Sequence, residues 1–141
     1  MADVLTKDQR QRCMAAIKSK DTKPEMLVRR VLHAAGFRYK LNVRSLPGSP
    51  DIVLPSLRHV VQVHGCFWHS HSCRYGQVIP KTNAEAWTLK REKTMVRDTR
   101  AELELAALGW RSITVWECEL REKGYVQRSV IPILLAARDR I

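Results

Sequence analysis

The sequence predicts an α/β fold, a mixed central sheet flanked by helices. Three observations carry that expectation. At 141 residues the chain has the length of one domain, taken as 1–141, and can bury a core without staples. Its composition, 45% apolar and 28% charged, is that of a globular protein. Short β-rich runs and longer stretches of helical periodicity follow one another in the order ααβββαβα.

Residues 7–18 read as a first helix. DTKPE (21–25) opens a second: Thr22 can cap it, Pro24 suits its first turn, and Glu25 stands at capping-box spacing from Thr22. That helix runs through Leu27, Val31, Leu32 and Ala35 and stops at Gly36. Residues 37–41 alternate apolar and basic, as a half-buried strand does. LPGSP (46–50) is a turn; 51–54 is a short strand ended by Pro55, and 60–63 is another. A long helix spans 84–108 and stops at Gly109. Leu89, Val96, Leu103 and Ala107 share one of its faces, with Lys90, Lys93, Arg97 and Arg100 in a stripe beside it. Residues 112–116 form a last strand leading into Glu117 and Cys118. A final helix covers 125–138, where Pro132 kinks or divides it.

Charge narrows the partners. Lys and Arg total 25 against 14 Asp and Glu, a net of +11, which points to a polyanion and most often to nucleic acid. A ribosomal or membrane-surface protein would show the same number, so charge alone names no activity. No run of 18 apolar residues and no apolar leader is present, so the expected location is the cytoplasm, with no membrane.

The run HGCFWHSHSC (64–73) holds three histidines, two cysteines and two large aromatics. Without a secretory signal, clustered cysteine and histidine read as metal ligands rather than disulfides. Structural zinc takes four N/S donors in a tetrahedron. Cys66, His71 and Cys73 supply three, and Cys118 follows a separate strand and can close the site. The plain alternative is that these cysteines pack as small hydrophobes. Four ligands spent this way leave His64 and His69 for other work.

Phosphodiester hydrolysis commonly uses a hard cation held by carboxylates. Asp51 stands after Pro50 at the start of a strand, and the next strand ends in Gln62-Val63-His64. That is a loose form of a nuclease signature in which Gln stands for the acid and His for the lysine. Asp after Pro is also ordinary turn chemistry, and the capping box alone accounts for Glu25.

Taken together, RCMAAIKSKDT (12–22), DTKPE, LPGSPDIV (46–53), HGCFWHSHSC and GWRSITVWECEL (109–120) closely resemble the very short patch repair (Vsr) DNA mismatch endonucleases. The resemblance spans about residues 8–121 and implies a restriction-endonuclease-like fold with a structural zinc site. It implies that Asp51 and the backbone carbonyl of Val63 hold Mg²⁺. His69 would be the general base, oriented by Glu25, and His64 would sit against the scissile phosphate. Cys66, His71, Cys73 and Cys118 would hold Zn²⁺. Phe67, Trp68 and Trp87 would wedge beside the mismatched pair, with Met14 entering from the other groove; unstacking is cheapest at a mismatch. Core packing is the competing account for Trp68, Trp87 and Met14. The implied activity is Mg²⁺-dependent, strand-specific nicking 5′ of the T in a T:G mismatch left by 5-methylcytosine deamination. A monomer on duplex DNA, nucleoid-associated and meeting repair proteins, is the matching expectation. A restriction-type endonuclease of other specificity and a non-catalytic zinc-stabilised DNA-binding module stand as alternatives.

Overall fold

The computed structural model describes residues 22–66, 69, 71, 73, 77 and 81–140. The helix expected at 7–18, and with it Met14, lies outside the described residues. Helix α1 (Lys23–Ala34) begins where Thr22 Oγ1 accepts the Glu25 N–H at 3.4 Å, with Pro24 in its first turn. Gly36 ends it at φ +91°, a conformation open to glycine, and the chain turns into the core at Phe37.

Four strands follow: β1 (Lys40–Leu41), β2 (Ile52–Leu54), β3 (His59–His64) and β4 (Arg111–Trp116). They lie side by side in that order, antiparallel at the first two junctions and parallel at β3–β4. The parallel junction needs a crossover, which carries the 24-residue helix α2 (Ala84–Ala107). After β4 come α3 (Tyr125–Ser129) and α4 (Ile131–Asp139), divided at Val130 with Pro132 in the first turn of α4. The mixed sheet flanked by helices is therefore present. The strand expected at 37–41 contracts to two residues, because Phe37 is pulled into the core and is 4% exposed.

Period-2 alternation sorts the sheet's two faces. Ile52, Leu54, Val61 and Val115 face α1, α3 and α4, packing on Val28, Leu32, Val126, Val130 and Leu134 as the main core. Val53 and Val60 face the other way, onto Leu105 of α2. Farther along that second face the alternate positions are Gln62, His64 and Thr114, and they line a cavity of about 900 Å³ beneath α2.

That cavity sets which way α2 is turned. Leu89, Val96 and Leu103 do share a face of α2, but they are 53%, 67% and 67% exposed, and Ala107 is exposed with them. Turned inward are Arg91 and Leu105, buried, with Thr94, Asp98 and Ala101 half-buried between them. The inner row is polar because it roofs a cavity rather than a core. The stripe of Lys90, Lys93, Arg97 and Arg100 is exposed as expected. At the rim, the β1–β2 loop brings Gly48 (φ +74°) against α2, so close that a Cβ there would stand 2.6 Å from Ala101 Cβ.

Candidate active site and metal centre

Asp51 precedes β2 where the ladder to β3 ends. Its Oδ2 accepts the Val63 N–H at 2.8 Å, and its own N–H donates to Gln62 Oε1 at 3.3 Å. Burial pushes the Asp51 carboxyl up to about 6, opposed by the Val63 hydrogen bond. A half-buried carboxylate lining a cavity is a receptor for positive charge.

His64 ends β3 on the cavity face, and His69 folds back over it. The two imidazoles stack with centroids 3.8 Å apart and planes 2° from parallel. His69 Nδ1 is hydrogen-bonded to an Asp98 carboxylate oxygen from α2. His64 Nδ1 is buried, with no hydrogen-bond partner among the described residues. Burial, with His69 beside it, holds the His64 pKa down at about 4, so this ring is neutral at physiological pH.

The structure adds a group that the sequence reading did not name: Asp98 pairs with His69, for which Glu25 was the expected orienting group. Glu25 is buried, and its Oε2 takes Arg29 Nη2 at 2.7 Å within α1. It stays near enough to raise the Asp51 carboxyl through space. Asp98 lay in the middle of a charged helical run, where spacing gave no sign of it. It could be found only by seeing that the 91–94–98–101–105 row, and not the apolar one, faces the sheet.

The second cluster was foreseen residue by residue. Ligand atoms of Cys66, His71, Cys73 and Cys118 all lie within 4.8 Å of one another, a set that could hold a metal ion. Cys118 N–H donates to Cys66 Sγ at 3.3 Å, and Cys118 Sγ lies 3.4 Å from His71 Nδ1. Burial pushes the Cys66 thiol up to about 12 and raises Cys118 as well. A cation among these sulfurs would reverse that cost by stabilising the thiolates.

Trp116 joins the two clusters. Its ring stacks on His71 at 4.0 Å and meets His64 edge-on at 5.2 Å. The Trp116 backbone N–H donates to Glu119 Oε1 at 2.9 Å. Of the expected wedge residues, Phe67 and Trp68 lie outside the described residues, as does Met14. Trp87 is half-buried on the first turn of α2 with Lys90 Nζ 5.7 Å from its ring centre, and it belongs to neither core cluster.

Residues 2–75 match the family described as DNA mismatch endonuclease Vsr. The chain is 47% identical over 134 residues to the Type II nicking enzyme V.XorIIP of Xanthomonas oryzae pv. oryzae, covering 95% of this chain and 98% of that one. It is 43% identical over 141 residues, the whole of both chains, to the Type II nicking enzyme V.NmeAIP of Neisseria meningitidis serogroup A. It is 43% identical over 121 residues to the DNA mismatch endonuclease Vsr of Escherichia coli K12, covering 86% of this chain and 77% of that one. The resemblance first visible in the sequence motifs thus holds across nearly the whole chain, which belongs to the DNA mismatch endonuclease Vsr family and is an endonuclease.

Proposed function

We propose that this chain is a Mg²⁺-dependent, strand-specific nickase that cuts 5′ of the T in T:G mismatches, on a restriction-endonuclease-like domain spanning 1–141. The observation that carries the reading is the convergence of Asp51, His64 and the His69–Asp98 pair on one cavity. The donor chemistry fits a hard cation: a half-buried carboxylate, with the Val63 carbonyl proposed beside it. When bound, Mg²⁺ supplies charge neutralisation at the phosphate and lowers the pKa of a water. His69 accepts the proton of the attacking water at the ring nitrogen turned away from Asp98. Asp98 fixes the ring's tautomer and stabilises the imidazolium that forms. Neutral His64 lies against the scissile phosphate, and Glu25 holds its place behind Asp51.

Zn²⁺ is the ion proposed for the Cys66–His71–Cys73–Cys118 cluster. Zinc–sulfur bonds of about 2.3 Å put tetrahedral sulfurs about 3.8 Å apart, within the 4.8 Å spread of these donors. The site would tie Cys66, His71 and Cys73 to Cys118 after β4, close to His69; Phe67, Trp68, Met14 and Trp87 are the proposed DNA contacts. A monomer working on nucleoid DNA in the cytoplasm is the simplest matching state.

The deciding experiment is a nicking assay with Mg²⁺ on end-labelled duplexes bearing one T:G mismatch or none, in several methyltransferase-site contexts. A single nick at the T of the mismatched strand is expected. Equal cutting of both duplexes would replace this reading with a restriction-type specificity. Binding without cutting, with zinc in place, would leave a non-catalytic module.

A further inference from the structure

A side chain that the mechanism above does not use stands beside its central carboxylate. Gln62 occupies the cavity face of β3, between Val60 and His64, and is half-buried on the cavity wall. Its Oε1 accepts the Asp51 N–H at 3.3 Å. A backbone N–H can only donate, so the oxygen of the carboxamide must face Asp51 and its NH₂ must face away. One residue on, the traffic runs the other way: the Val63 N–H donates to the Asp51 side chain at 2.8 Å.

Residues 51 and 62 are the next pair after Ile52 and Val61 in the β2–β3 register, where strand pairing stops. Side chains therefore continue the ladder for one more rung on each side. Asp51 is held at three points: its carbonyl accepts the Asn42 N–H at 3.1 Å, its N–H donates to Gln62, and its carboxylate accepts from Val63. The Asn42 bond fixes the carbonyl side, towards β2; the Gln62 bond fixes the amide side, where the chain enters from Pro50 and strand pairing has stopped.

We propose that Gln62 is a positioning residue: by capturing the Asp51 backbone N–H it fixes the direction in which the Asp51 carboxylate meets a divalent cation. The inference rests on the reading of Asp51 as the cation ligand, and its test separates the two. Nothing is asked of Gln62 beyond an acceptor oxygen, so Glu at this position retains the function and Met, of similar length without that oxygen, loses it.

The experiment titrates Mn²⁺ into full-length, zinc-loaded protein without DNA, reading free Mn²⁺ by electron paramagnetic resonance, for wild type, Q62M, Q62E and D51A. Amide hydrogen exchange is followed alongside. In Q62M, Mn²⁺ binding should weaken about three- to tenfold, the loss expected of one neutral hydrogen bond. Exchange should quicken at the Asp51 amide while Val53 stays protected. Q62E, which keeps an acceptor oxygen but adds a charge that can itself draw the cation, should leave the Asp51 amide as protected as in wild type. Loss of binding in D51A with wild-type affinity in Q62M would overturn the role of Gln62 and leave that of Asp51. Unchanged binding in D51A would overturn the cation reading of Asp51, and the inference with it. A purely structural glutamine would lower the thermal midpoint in Q62M without moving either readout.

Discussion

Asp51 carries a cost that follows from its place. Its carboxyl titrates near 6 in the fold against 3.8 in an unstructured chain, mainly because it is buried. Below pH 3.8 both states are protonated and nothing is lost. Between 3.8 and about 6 the unfolded chain ionises first, so stability falls as pH rises, by up to about 3 kcal/mol at about 1.4 kcal/mol per pH unit. D51N should therefore abolish cutting and yet stabilise the protein at pH 7.5 without added Mg²⁺. Urea unfolding should show the gain fade as pH drops towards 4. His69 has a carboxylate beside it in Asp98. D98N leaves the ring without its charged partner, and single-turnover cutting should slow by about 10²-fold while DNA affinity holds, as binding and rate assays run in parallel will show.

Among the elements, α2 was placed correctly by its pattern, which left its orientation open. Periodicity marks which residues share a face; it does not say whether that face meets a core or water. Leu89, Val96 and Leu103 formed the more apolar row, yet Arg91, Thr94, Asp98 and Leu105 turn inward because the sheet beneath them is polar at Gln62 and His64. That Cys66, His71, Cys73 and Cys118 would come together was legible, since clustered cysteine and histidine point to a shared site, whereas the His69–Asp98 pair depended on a helix rotation that no local signal encodes. β4 and the turn after it present Cys118 through a brace: Glu119 takes the Trp116 N–H with one oxygen and the Tyr125 hydroxyl, at 2.6 Å, with the other. As the fourth donor of the proposed zinc site, Cys118 is expected to be needed for the metal, so C118S should retain less than one zinc per chain. It should also lose about 4 kcal/mol or more of stability, or about 10 °C or more in Tm, read by metal analysis and calorimetry.

Across the whole molecule the net charge of +11 acts on DNA before any particular base does. Duplex affinity should fall steeply with salt. R97A, which removes an exposed cation at the cavity edge, should lessen the slope of log K against log salt by about 1, measured by fluorescence anisotropy. The same edge is bounded by Gly48 lying directly on Ala101. Two main chains meet there with one methyl group between them, so no side chain can rotate aside to admit a thicker substrate. The gauge of the opening is set by the backbone, and widening it requires the whole β1–β2 loop to lift from the helix as a unit.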